Sequence, residues 1–225
     1  MSGSASASSR RPRRGRVGVL VVLALALLVA AGVGYAVMRD PGPDGAGSTP
    51  TATPTPLSDV DVSDRRVPRG PFCAALEQDG IEAALGGPVT RTGHYDSGDR
   101  ASLATGLTDI AHEYNCGYYA ATGVQARAWV FAAPVTRTVA VSLATEPAGT
   151  GCRQLTDGPG FGNPSAASVC QVGTAAATVV TLRGLFGSSW LSCQLTMPRA
   201  AGTPDPVRRA ERWCVQVAMT VGSRP

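Results

Sequence analysis

The sequence contains no lysine, so all 20 of its cationic residues are arginine. Together with the abundance of Ala, Gly, Pro and Val, this is the residue usage of a GC-rich genome and carries no functional signal. Histidine is scarce, with two in 225 residues, and aromatics make up only 5% of the chain. A core drawn from this composition is Ala- and Val-rich, with little large-side-chain area per residue to stabilise it. No C-x-x-C pair occurs, which removes the usual spacing for zinc and thioredoxin chemistry. A nucleophile elbow of the G-x-S-x-G type is absent, and so are the phosphate-binding loop and the dinucleotide fingerprint. The glycines of residues 158–164 have neither the lysine nor the strand–helix setting those motifs need.

What remains for chemistry is thin. His112-Glu113 begins like a zincin motif, but position 116 is Cys116 and the stretch alternates like a strand, so no helical H-E-x-x-H face exists. His94, Asp96, Asp99 and His112 satisfy no metal-ligand spacing. Glu113 with Asp109 would offer a carboxylate pair, without any further mark of glycosidase work. We therefore expect no catalytic residues, no metal ligands and no cofactor.

Charge narrows the partners. Five arginines (Arg10, Arg11, Arg13, Arg14 and Arg16) precede residue 17, leaving 15 against 16 acids beyond it. The basic footprint of a nucleic-acid binder is thus missing from the rest of the chain.

Between the basic tail and the remainder lies Val17–Met38, an uncharged and largely aliphatic run of 22 residues. As a helix it would be roughly 33 Å long, enough to cross a bilayer core of about 30 Å. Arginines ahead of it and a balanced Arg39-Asp40 behind it predict a cytoplasmic N-terminus and an extracytoplasmic C-terminal domain at the cell membrane. The competing reading is a cleaved signal peptide, although the run exceeds the usual apolar length and no clean cleavage site follows. No cysteine directly follows the run to take a lipid, and Arg13-Arg14 lacks the rest of a twin-arginine signal. The expected organisation is a disordered tail over 1–16, a transmembrane helix over 17–38, a linker over 39–71 and an ectodomain over 72–222. The linker holds seven prolines among Thr, Ser, Gly and Asp, a composition that stays extended as a stalk and offers O-glycosylation sites.

Within the ectodomain, Asp79 and Glu82 are spaced as a capping box for a first helix that Gly86-Gly87 would end. Residues 107–120 alternate as one strand and 124–132 as a second, with Ala126, Ala128 and Val130 opposite Arg127, Trp129 and Phe131. Pro134 opens a middle helix that runs through about Thr145, apolar at Val135, Val139 and Leu143. Residues 174–182 and 188–197 read as strands, with Gly184 and Gly187 in the turn between them. The last helix is the clearest: Asp205 caps it, Pro206 begins it, and Val207, Ala210, Cys214, Val217, Ala218 and Val221 form one stripe. The fold class is α+β, a mostly antiparallel sheet packed by an N-terminal, a middle and a long C-terminal helix.

Six cysteines, Cys73, Cys116, Cys152, Cys170, Cys193 and Cys214, all follow the apolar run. An even count in an oxidising compartment argues for three disulfides, with fifteen pairings formally open. Cys193–Cys214 would pin the last helix to the sheet and Cys73–Cys116 the first, leaving Cys152–Cys170 as a local loop.

The segment FCAALEQDGIEAALGG, the strand carrying Cys116, RGLFGSSWLSCQL and the C-terminal RRAERWCVQVA together resemble a family of actinobacterial cell-envelope domains of unknown function. Those are secreted or lipid-anchored α+β domains, similar in broad fold to the extracellular sensor domains of some mycobacterial receptor kinases. The resemblance implies an envelope location and carries over no catalytic residue. A membrane helix in place of the family's frequent lipoprotein cysteine is a departure from it.

Strand parity yields one candidate site. If Cys116 and Cys193 face the helices, then Glu113, Asn115, Tyr119, Arg127, Trp129, Phe131, Trp190 and Gln194 share the opposite sheet face. Aromatics mixed with Arg, Asn and Gln are what recognition surfaces use. The plainer alternative is that a loop or helix covers this face and its tryptophans are core. The expected function is a non-catalytic binding, sensing or assembly-partner module of the bacterial envelope, its partner an envelope protein or a glycan or lipid ligand. The rivals are an envelope hydrolase acting on glycan or peptide, a lipid carrier with a closed apolar cavity between helices and sheet, and a purely structural spacer.

Overall fold

The computed structural model describes residues 57–223 except 105, 148, 157, 158, 174, 175 and 203. The expected tail and transmembrane segment lie outside these residues. Among the described residues no helix is long and apolar enough to cross a membrane.

The fold class is the expected α+β, with nine strands and three helices among the described residues: β1 (Arg91–Tyr95), β2 (Arg100–Ala104), β3 (Leu107–Ile110), β4 (Glu113–Tyr119), β5 (Gln125–Phe131), β6 (Cys152–Leu155), β7 (Ser165–Val172), β8 (Ala177–Phe186) and β9 (Ser189–Pro198). The helices are α1 (Gln78–Leu85), α2 (Arg137–Thr145) and α3 (Pro206–Val221). Seven strands form one antiparallel sheet in the order β1-β4-β5-β9-β8-β7-β6, while β2 and β3 make a separate two-stranded ribbon. Two meanders are thus joined where β5 pairs with β9.

One sheet face packs against α1 and α3. Ala126, Ala128 and Val130 of β5 are fully buried there with Leu191, Cys193 and Leu195 of β9. From the helix side Trp213, Val217 and Ala218 fill the same layer. Small residues on β5 let the helix approach closely, and the Trp213 indole supplies volume they lack; it meets Tyr118 edge to face at 6.2 Å. The three disulfides are Cys73–Cys116, Cys152–Cys170 and Cys193–Cys214, as the placement of their elements anticipated. Cys152 and Cys170 face each other across β6 and β7, so the expected loop is a stapled pair of strands.

Asp205 caps α3, its side chain accepting from the Arg208 N–H at 3.1 Å, and Pro206 takes the first position. Burial extends past the expected stripe to Glu211 and Val215. The reason is a strap that the expected linker boundary had excluded. Residues 57–71 lie on the fold, with Val62 and Val67 buried, Ser189 Oγ donating to Val67 O at 2.5 Å, and Arg66 bridging Ser223. Arg65 donates to the carbonyls of Met219 and Gly222, closing the end of α3.

Other boundaries also move. Glu77, not Asp79, occupies the N-cap of α1 and makes no side-chain cap bond; Asp79 sits in the first turn, where it favours the helix dipole. The expected strand over 107–120 breaks at Ala111-His112, since its first half pairs with β2 and only its second half joins the sheet. Pro134 does not begin α2. Val135 stays extended, donating to Ser188 O at 2.9 Å, and Thr136 caps the helix. That shift turns Val139 outward, 49% exposed, and Ala140 inward. Gly184 lies within β8 rather than in the turn, and a Cβ there would run into the carbonyl oxygen of Phe161.

Candidate functional site

Alternation along β4, β5 and β9 sets the second sheet face. In register, Tyr95, Asn115, Trp129 and Ser192 form one row across β1, β4, β5 and β9; Glu113 pairs with Phe131, and Arg127 with Gln194. Seven of the eight residues expected on this face line two adjoining cavities. Glu113, Arg127, Trp129, Phe131 and Gln194 line one of about 520 Å³. Asn115, Tyr119 and again Arg127 line the other, of about 600 Å³. Both fall in the size range of small-ligand sites, about 300–1,000 Å³.

Trp190 is the exception. It shares the parity but is 2% exposed, packed with Val135, Ala140 and Leu185 beneath α2. The two readings of this face therefore divide it: α2 covers the β8–β9 end, and the β4–β5 end stays open.

Sequence reasoning did not find the β2–β3 ribbon, whose Leu103 lines both cavities. Nor did it find β1, which brings Gly93 and Tyr95 to the floor of the second. The available signals were Gly98 and Gly106, both at positive φ in the turns flanking β2. Gly93 opposite Gly117 leaves a stretch of floor without side chains, over which the Tyr119 ring lies, and the Arg91 guanidinium stacks 3.5 Å above that ring.

Charges in the cavities are balanced and largely engaged. Tyr95 Oη donates to Glu113 Oε1 at 2.5 Å. Burial, then that bond and the negative charge of Glu113, push the Tyr95 phenol well above its ordinary range, with Arg127 opposing, so it stays a donor. The Arg127 guanidinium lies 5.5 Å from the centre of the Trp129 ring, within cation–π reach. Gln194 Nε2 donates to Thr181 Oγ1 at 3.1 Å, which orients its carbonyl end. Asn115 is 4% exposed, and its Nδ2 has no hydrogen-bond partner.

The residues weighed for chemistry do not converge. Asp109 lies on β3, exposed, its carboxylate accepting from the Ile110 N–H, while Glu113 serves Tyr95. His112 lines one cavity and His94 and Asp99 the other. The Asp96 N–H donates to Asp99 Oδ2 at 2.9 Å. Among the described residues no three His, Cys, Asp or Glu side chains group to hold a metal ion.

The chain matches no protein-family model and no curated protein sequence.

Proposed function

We propose that this chain is a non-catalytic binding module of the bacterial cell envelope, anchored by residues 17–38 and displayed outside the membrane. The open half of the outer sheet face is its ligand site. The observation that carries the reading is the groove itself. A half-buried tryptophan and phenylalanine lie beside Arg, Gln, Glu and Asn on rigid central strands, left uncovered where α2 ends. Three disulfides fit an oxidising compartment, and two of them tie helical segments to the strands behind the site. Against lipid carriage stands the helix–sheet layer, filled by Trp213, Leu191, Leu195 and Val217. The likeness to actinobacterial envelope domains remains part of the same proposal.

Two measurements test it. A C-terminal alkaline phosphatase fusion should be active in cells and a fluorescent-protein fusion dark; the reverse would remove the extracytoplasmic placement. A photo-reactive residue at His112, on the groove rim, should give envelope adducts that the same residue at Thr138 on α2 does not. Adducts that persist unchanged in Trp129→Ala would show that binding occurs elsewhere.

A further inference from the structure

We infer that the groove takes a neutral glycan, with one sugar ring lying against Trp129 and an oxygen of the oligosaccharide reaching the Asn115 amide. This rests on the binding-module reading and names the chemistry of its ligand.

Asn115 is buried with an unpaired side-chain N–H. A buried N–H without an acceptor bears the full cost of its desolvation, and native structures leave few such groups. Asn115 lines the cavity under the ribbon while its Nδ2 itself is shut off from solvent, so an acceptor in that cavity would satisfy it after a small turn of the amide. Asn115 pairs directly with Trp129 across β4 and β5, which sets the donor beside the indole at about 5 Å between Cβ atoms. An apolar face next to a buried donor matches a pyranose, which presents C–H groups on one face and hydroxyl or acetamido oxygens at its rim.

Charge favours a neutral ligand. The two cavities hold two arginines, Arg100 and Arg127, against two acids, Asp99 and Glu113. No single-sign field is present to attract a polyanion or polycation. Backbone pairing argues against an extended peptide. β5 is bonded on both sides, to β4 and β9, so no strand can be added beside Trp129, and among the described strands the free ladder nearest the groove is at β1, on the sheet's edge. A lipid tail would meet Arg127, Gln194 and Asn115 where it needs hydrocarbon.

The test uses the full chain in detergent micelles and a panel of neutral tetramers of glucose, galactose and N-acetylglucosamine, with a mixed decapeptide pool in parallel. Trp190 and Trp213 are each 2% exposed, so protection of tryptophan emission from acrylamide quenching reports on Trp129. At least one tetramer should protect it saturably. By calorimetry, Asn115→Asp, which removes the donor, should weaken that binding at least tenfold, and Trp129→Ala should do the same, with no free thiols in either. Should Asn115→Asp fail to fold, Trp129→Ala decides alone, because Trp129 lies at the groove surface and outside the buried core. The inference is overturned if no tetramer binds, or if binding survives Trp129→Ala. Protection by the peptide pool alone would then keep the binding-module reading with a different ligand; protection by neither would end both.

Discussion

Among the described residues Glu211 is the buried charged one, 7% exposed on the side of α3 that the N-terminal strap covers. Burial chiefly raises its carboxyl above the ordinary range, Asp205 and Asp59 add to the rise, and Arg208 and Arg212 oppose it. The folded protein therefore holds this proton more tightly than the unfolded chain does. The associated stability is complete below the unfolded value of about 4.3 and is lost as pH rises through the folded one. Glu211→Gln should accordingly raise the Tm at pH 7, with the gap closing as pH falls below 4; a gap independent of pH would show that burial of charge is not its cause. Gly184 gives the opposite case, a residue whose value is the absence of a side chain. The backbone of Phe161-Gly162 passes directly over it, so Gly184→Ala should cost about 1–3 kcal/mol or more by overpacking, read from the denaturant midpoint. Alternation could assign Trp129 and Trp190 to one face but not distinguish them. The difference lies in α2, which arrives from elsewhere in the chain and seals only Trp190.

The elements with the plainest local patterns stand close to where they were expected. α3 has a cap, a proline and a stripe, and β5 has strict alternation between Ala or Val and larger polar or aromatic residues. The expected disulfides followed from these faces, since Cys193 and Cys214 each lie on the buried side of a well-marked element. Boundaries drifted where tertiary pairing decided them. The alternation of 107–120 is continuous, and nothing local says that its first half will pair with β2 and its second with β5. α2 drifted because Val135 is spent on the sheet, extended, before the helix starts. At this scale the Cys193–Cys214 bond is testable. It closes 21 residues and joins α3 to β9, so replacing both cysteines with Ala should cost about 3 kcal/mol on the loop-entropy estimate. A loss well below 1 kcal/mol in urea melts would place the stabilisation of α3 in packing and capping alone.

For the molecule as a whole, the question is where the folded unit begins. A Pro-rich composition gave residues 57–71 to the stalk, because proline spacing reports what a segment cannot form, not what it can lie against. Here the segment lies against α3 and the β8–β9 turn without forming a strand. It buries Val62 completely, seals Val67 at 5% exposure, and donates from Val62 N–H to Gly160 O at 2.8 Å. Burying two valines stabilises by about 1.5–3 kcal/mol each, against a total domain stability of about 5–15 kcal/mol. The strap also covers Val215 and Glu211 on α3, which would otherwise meet water. A protein beginning at Phe72 should therefore lose several kcal/mol and unfold at a markedly lower denaturant concentration than one beginning at residue 57, although both keep all six cysteines. Equal midpoints would mean that the strap lies on a domain already complete without it. A large loss would place the start of the fold at residue 57, ahead of the expected boundary at Phe72.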